Sequence, residues 1–286
     1  MNKRSSLFLL LVLLVLSLST LAQDSKEHVF YQVETTDGSV FKGRLVYEDE
    51  TSLKLESETL GEITIPRVNV VRIKTLGSYK KVGTAYWAEY PQDTRYFWAP
   101  TGYGLRKAEG YYQNVWIYFN QIVYGVSDHF SIGLGTIPLV LFFGESTPVW
   151  ITPKVSFELE EDKVSLGFGG LFGAVLGEDI GFGILYGVTT FGSRQKNISF
   201  GMGWGYADED FASSPVFNVS ALYRLGPKGY LLSENYYFPG DSAFGLLSLG
   251  GRSLLGKVGL DYGGVIPLGE DTGVNIIPWL GVTVPF

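Results

Sequence analysis

The last fourteen residues, Gly273 to Phe286, constrain the fold more than any other stretch of the chain. They read GVNIIPWLGVTVPF. Val274, Ile276, Pro278, Leu280, Val282, Val284 and Phe286 form one almost wholly apolar face. Asn275, Ile277, Trp279, Gly281, Thr283 and Pro285 form a more mixed and more polar one. A period of two marks a β-strand, because successive side chains leave a strand on opposite sides. The period alone does not separate a soluble sheet from a membrane sheet, so the rest of the chain must decide.

Composition narrows the choice. Hydrophobic residues make up 45% of the chain and aromatics 15%, with 37 glycines, while charged residues reach only 18%. Lys3 and Arg4 precede the apolar run Leu7 to Leu16, and Thr20-Leu21-Ala22 offers small residues for cleavage. This is the pattern of a secretory signal peptide over residues 1–22. Beyond it no apolar run reaches the roughly 18 residues that a membrane helix needs. The longest candidate, Ile132 to Phe143, is interrupted by Gly133, Gly135 and Pro138. With no cysteine there are neither disulfides nor thiolate metal sites. The net charge of −7 argues against nucleic acid as a partner.

An aromatic final residue with an apolar residue at every second position before it resembles the assembly signal of bacterial outer-membrane β-barrel proteins. The matching residues are Leu280, Val282, Val284 and Phe286. The resemblance implies an all-β chain whose last strand closes an antiparallel transmembrane barrel of about twelve strands. It also implies outer-membrane lipid, lipopolysaccharide and the barrel-assembly machinery as partners. The strand count is open between ten and twelve.

Residues 23–77 read as a separate small β-domain, residues 78–93 as a linker and residues 94–286 as the barrel. In the small domain, short strands are expected at Val29 to Glu34, Val40 to Tyr47, Ser52 to Glu56, Ile63 to Ile65 and Val71 to Lys74. Pro66-Arg67-Val68 should form a single helical turn. The Asp37-Gly38 turn, Phe41-Lys42-Gly43-Arg44-Leu45, Ser52-Leu53-Lys54-Leu55 and Gly61-Glu62-Ile63-Thr64-Ile65-Pro66 resemble a five-stranded Sm-like small barrel. Many Sm-like barrels bind RNA. An exported acidic protein meets none, so a periplasmic domain docking on the barrel or on a protein partner is expected.

The barrel is expected to open with a strand at Tyr96-Phe97-Trp98, followed by a long strand from Tyr111 to Tyr124 and a third from Phe130 to about Leu141. In the fourth, Val149, Ile151, Pro153, Val155, Phe157 and Leu159 alternate with Trp150, Thr152, Lys154, Ser156 and Glu158. A lysine facing lipid at mid-bilayer costs roughly 2–4 kcal/mol, so the second set must face the lumen. Three Gly-striped strands follow, then Pro215 to Leu225, Tyr230 to Phe238, Ala243 to Ser253 and Val258 to Pro267. Inner-face glycine there either leaves open volume or makes room for large lumen side chains such as Trp116 and Tyr118. One set of loops carries Glu145, Glu178, Asp179, Asp208, Glu209, Asp210, Asp241, Glu270 and Asp271. The opposite turns carry Lys163, Arg194, Lys196, Lys228 and Lys257, diluted by Asp128 and Glu160 to Asp162. All the outer loops read as short, so none is expected to fold inward as a plug. Both barrel ends are expected in the periplasm.

Chemistry is sparse. A membrane hydrolase needs a histidine beside a nucleophilic serine. Only His28 and His129 exist, one just before the small domain's first strand and one in a turn at the wrong end. No catalytic residue, metal site or cofactor is expected, and Asp208-Glu209-Asp210 lacks the glycine and spacing of a calcium loop. The lumen candidates are Lys154, Glu158, Asn218, Ser220, Arg224 and Asp261. Glu234 and Arg252 lie on strands whose faces the pattern leaves ambiguous. These groups either line a narrow porin-like channel or pair with one another in a closed structural or adhesion barrel.

Overall fold

The computed structural model describes residues 27–57, 59–82, 85–88, 93–138, 140, 146–208, 210–240, 243–269 and 276–286. The signal-peptide assignment and the loop acids Glu145, Glu209, Asp241, Glu270 and Asp271 lie outside them. The chain forms two compact units, Met1–Tyr90 and Pro91–Phe286.

In the first unit, β1 (Glu27–Thr35), β2 (Val40–Glu48), β3 (Ser52–Ser57), β4 (Gly61–Pro66), β5 (Val70–Val82) and β6 (Ala85–Ala88) form one antiparallel sheet in the order β4-β3-β2-β1-β5-β6. A single 3-10 turn, Arg67–Asn69, precedes β5. Val33, Leu53, Leu55 and Ile65 make the buried core, with Phe41, Leu45 and Ile73 packed on it. The expected last strand therefore runs further than its pattern showed, and the stretch expected as a linker contributes β6. Between β2 and β3, Asp49 accepts hydrogen bonds from the Thr51 hydroxyl and from the backbone N–H of Thr51 and Ser52, at 2.8, 2.8 and 2.7 Å. The Thr51 hydroxyl and then the two backbone donors hold its carboxyl below the usual carboxylate range. A depressed folded-state pKa contributes stability that is present above the unfolded value, near 3.9, and lost as pH falls below it. Thermal unfolding of this unit should shift downward between pH 5 and pH 3, and Asp49→Ala should flatten that dependence.

The second unit is the barrel. Its strands are β7 (Gly110–Val115), β8 (Phe119–Gly125), β9 (Phe130–Thr136), β10 (Pro148–Ile151), β11 (Lys154–Glu160), β12 (Val164–Val175), β13 (Gly181–Ser193) and β14 (Lys196–Ala207). After the two-residue β15 (Asp210–Phe211) come β16 (Val216–Gly226), β17 (Gly229–Phe238), β18 (Phe244–Leu255), β19 (Val258–Leu268) and β20 (Ile277–Pro285). Neighbours in sequence pair antiparallel all the way round, and β20 returns to pair with β7, Thr283 opposite Gln113. Pairing every backbone group this way is what lets a sheet cross lipid. The segments β10 and β11 are two halves of one strand, interrupted at Thr152 and Pro153, where no proline N–H exists for the ladder. Twelve strands close the sheet among the described residues.

Two expectations about this wall are corrected. Tyr96-Phe97-Trp98 is not a barrel strand. The stretch Tyr111 to Tyr124 is not one strand but the hairpin β7–β8, so the two errors cancel in the count. The hairpin turns at Trp116 and Ile117, both in the left-handed region at φ 52° and 70°. Asn114 holds the turn: its Oδ1 accepts from Ile117 N–H and its Nδ2 donates to Ile117 O, both at 3.1 Å. The expected third strand ends at Thr136.

Alternation sorts the wall. Leu134, Leu249, Met202, Phe200 and Phe168 are exposed on the outside, whereas Ser131, Ser165, Thr190, Ser199, Ser220 and Ser248 are buried within. On β20, Leu280, Val284 and Phe286 are exposed and Val282 half-buried on the same outer side, with the Phe286 ring lying across Gly110. An apolar exterior around a polar interior, closed and even-stranded, is the architecture of outer-membrane barrels. On β11, Ile151, Phe157 and Leu159 of the adjoining halves face out and Trp150, Lys154 and Ser156 face in.

The glycine stripes resolve by register. Gly169 and Gly203 flank Tyr186 across the sheet, and Gly167 and Gly201 flank Val188. Glycines of β12 and β14 therefore make room for the large inward side chains of β13, not for Trp116 or Tyr118. On β13 itself, Gly183 and Gly187 lie on the outer face, opposite Tyr206 and Met202. A Cβ at Gly169 would stand 2.6 Å from both the Tyr186 hydroxyl and the Pro153 carbonyl oxygen. Gly169→Val should accordingly cost about 1–3 kcal/mol by overpacking, read as a lower urea midpoint for loss of the folded barrel's gel mobility.

Candidate functional site

Residues 93–105, expected to contain the first strand, lie inside the barrel. Asp93 to Phe97, Ala99, Thr101 to Tyr103 and Leu105 are all buried. The run TRYFWAPTGYGL has no alternation, and it carries Pro100, Gly102 and Gly104 where a strand would weaken. It folds as a tight turn: Tyr96 N–H donates to Ala99 O at 2.8 Å and Thr101 N–H to Thr94 O at 3.0 Å. No outer loop was expected to plug the lumen. The segment preceding the first strand does so instead.

The wall grips this segment through polar groups. Arg252 of β18 and Asp261 of β19 face each other across the sheet. Asp261 accepts from Arg252 Nε at 2.5 Å and Nη2 at 3.1 Å, and from Arg95 Nη1 at 3.0 Å. Arg252 and Asp261 are 0% exposed and Arg95 2%. Arg95 also donates to the carbonyls of Tyr96 and Phe97 at 2.8 and 2.9 Å, which bends its side chain back over its own turn. Glu234 of β17 accepts from the backbone N–H groups of Trp98 and Ala99 at 2.8 and 3.0 Å. Two arginines thus stand against two carboxylates in the same interior, and backbone groups of the segment take up further hydrogen bonds, while Arg95 Nε stays buried without a partner. Buried charge is tolerable only when paired and hydrogen-bonded in this manner.

Further along, the Tyr96 hydroxyl bonds Asn197 Oδ1 and Ser199 Oγ at 2.7 and 2.6 Å. Gln113 Nε2 donates to Phe97 O at 2.9 Å, and Gly102 N–H to Thr190 Oγ1 at 2.6 Å. Gly102 is required here, because a Cβ would lie 2.3 Å from the Ser165 carbonyl oxygen. Arg194 reaches Asp93 and the Gly104 carbonyl at 3.3 Å. Trp98 packs against Phe119 and Trp150, with ring centres 6.0 and 6.4 Å apart.

The expected lumen residues fall into four places. Asp261 joins the segment's anchor. Asn218 and Ser220 face inward on β16 and bond each other at 2.9 Å. Arg224 and Glu158 sit near the rim that carries Gly110 and Phe286: Arg224 bonds Gln195 and Pro227 O at 2.6 and 2.9 Å, and Glu158 accepts from Asp162 N–H at 3.0 Å. Lys154 donates to the Tyr103 carbonyl, within the internal segment. Glu234 and Arg252, ambiguous by pattern, are both principal anchors. Arg95 and Tyr96 were missed altogether, and the broken alternation around them was the available signal.

The segment divides the lumen. One cavity, of about 180 Å³, is lined by Trp98, Pro100, Ile184, Tyr186, Val216 and Tyr236 among others. A second, of about 270 Å³, is lined by Gly102, Tyr103, Arg106, His129, Glu158 and Arg194 among others. The inward residues of β11 pass from one to the other, Lys154 lining the first and Ser156 and Glu158 the second. His129 approaches Ser156 only through its backbone carbonyl, at 3.2 Å, so no imidazole–hydroxyl pair forms there.

No family model matches the chain, and no curated protein matches it in sequence. Among solved structures it is similar to the KdgM porin, with 8% identity and a TM-score of 0.46 over 62% of this chain and 98% of that one. It is also similar to the CymD monoaromatic hydrocarbon channel, with 10% identity and a TM-score of 0.36 over 92% and 88%. A third likeness is to OccK11 of Pseudomonas aeruginosa, with 10% identity and a TM-score of 0.35 over 91% and 94%.

Proposed function

We propose that the protein is a narrow outer-membrane channel, not an enzyme, whose passage is throttled by its own residues 93–105. The observation that carries this reading is the filling of the lumen. An eight-stranded barrel is just wide enough to be filled by side chains, whereas twelve strands enclose more space. Here that space holds one chain segment, gripped by polar groups that water could replace, with a cavity on either side. The polar part of this grip can be rehydrated as the segment moves, and the buried rings of Tyr96, Phe97 and Tyr103 set the cost of moving it.

The density of those contacts favours a second reading, a permanently closed barrel that serves as an anchor or adhesin. Single-channel recording separates the two. The refolded mature chain should give small, infrequent openings. Exchanging residues 93–105 for a Gly/Ser stretch of equal length should give steady conductance several-fold larger. Silence from the exchanged chain, with its barrel verified as folded, would support the closed barrel instead.

The small domain is read as a periplasmic Sm-like unit, with Gly110 and Phe286 at the periplasmic rim and lipopolysaccharide beside the opposite one. Its sheet order β4-β3-β2-β1-β5 and the 3-10 turn before β5 support this. It is covalently continuous with the internal segment, so a protein partner bound to it could act on the plug. Recordings after removal of Val29 to Leu76 test whether the domain affects opening.

A further inference from the structure

We propose that the cavity beside Trp98 is a binding site for a small organic monoanion with an apolar body, such as an aromatic or short branched carboxylate. The inference deepens the channel reading and rests on it in one respect, that solutes enter the lumen.

Lys154 of β11 supplies the cation. Its side chain is 8% exposed and lines the cavity. An ammonium has three donors, and this one has one protein acceptor, the Tyr103 carbonyl. No carboxylate stands within ion-pair distance of it among the described residues. The Asp93 carboxylate, at the start of the internal segment, pairs with Arg194 instead, at 3.3 Å. The anchor charges balance one another, as do Asp93 and Arg194, so Lys154 is the cation left over in this part of the lumen.

The remaining wall is mostly apolar, and Arg95, its other charged group, is already bound to Asp261. Trp98 and Pro100 of the internal segment face Leu171, Ile184, Tyr186 and Val188 across the cavity. A volume of about 180 Å³ is of the order that holds a single benzene-sized molecule. A hydrated inorganic anion would satisfy Lys154 but waste the apolar walls. A neutral hydrocarbon would fill the walls and leave the ammonium without a counter-charge. A carboxylate on a compact apolar body satisfies both, since a charge-assisted hydrogen bond to an ammonium is about twice as strong as a neutral one. Two amides, Gln121 and Asn218, also line the cavity, and each keeps one N–H beyond its bond to Gln113 or to the Asn235 carbonyl.

The test is calorimetric titration of the full mature chain, folded in detergent, with benzoate, benzyl alcohol and chloride. Benzoate should bind saturably, at least tenfold tighter than benzyl alcohol, and excess chloride should not displace it. Lys154→Met should reduce benzoate affinity at least tenfold and erase its advantage over benzyl alcohol. Lys154→Gln keeps a donor for the Tyr103 carbonyl without the charge, so it should behave as Lys154→Met does even if the methionine variant folds poorly. Absence of saturable benzoate binding would overturn the proposal, as would equal binding of the alcohol, competition by chloride, or unchanged affinity in Lys154→Gln. Binding is measured without any current, so a silent barrel that binds benzoate would sink the channel reading alone. A conducting barrel that ignores benzoate would sink this proposal alone.

Discussion

Asp261→Ala should be the most damaging single substitution in the barrel. It removes the one carboxylate shared by Arg95 and Arg252 and leaves two guanidinium groups facing each other in a buried interior. Removing one partner of a buried ion pair costs about 3–5 kcal/mol, because the stranded charge keeps its desolvation penalty and loses its compensation. The loss has two readouts. The temperature at which the folded barrel loses its compact gel mobility should fall, and the segment should loosen, giving longer and larger openings in planar bilayers. Arg252→Met with Asp261→Leu replaces the charge pair by apolar groups of similar volume. Its barrel should recover much of the lost stability, yet Arg95 should still lack its acceptor and the openings should persist. If Asp261→Ala left both stability and conductance unchanged, the anchoring of residues 93–105 by Asp261 would be wrong.

The second large effect lies on the opposite side of the same wall. Met202 is 43% exposed on the outside of β14, level with Gly187 of β13. Arginine there must sit in hydrocarbon near mid-bilayer, at a cost of roughly 2–4 kcal/mol. Met202→Arg should refold poorly into phospholipid vesicles and lower the urea midpoint of what does refold. Asn218 lies on the adjacent strand, but it faces inward. Asn218→Arg should insert normally and alter ion selectivity instead. Equal tolerance of both substitutions would mean that the exterior does not meet lipid.

These two predictions rest on different kinds of information. The face of Met202 follows from local pattern: Phe200, Met202 and Trp204 alternate with Ser199, Gly201 and Gly203, and chain order alone predicts that each strand pairs with its neighbours. An apolar exterior, the inward set of β11 and five of the small domain's six strands were legible, because strand period and turn chemistry act over a few residues, whereas the count of twelve came out right only because two errors at the first strands cancelled. The grip on residues 93–105 was not. Arg95 meets Asp261 across 166 residues of sequence, Trp98 meets Glu234 across 136, and Tyr96 meets Asn197 across 101. Nothing local marks those partnerships. Tyr96-Phe97-Trp98 has a strand's composition without its alternation, and composition cannot tell a segment that forms a wall from one enclosed by it.

The sequence by itself determined the period, and through it most of the strands, the two faces of those that alternate cleanly, such as β11 and β14, and the closing role of β20. Only the tertiary structure decided what fills the barrel, because closing twelve strands creates an interior that no single strand can sense. Whether Asp261 and Arg252 line a water path or hold a plug depends on which segment is carried into that interior, and that choice is made by contacts between residues far apart in the chain.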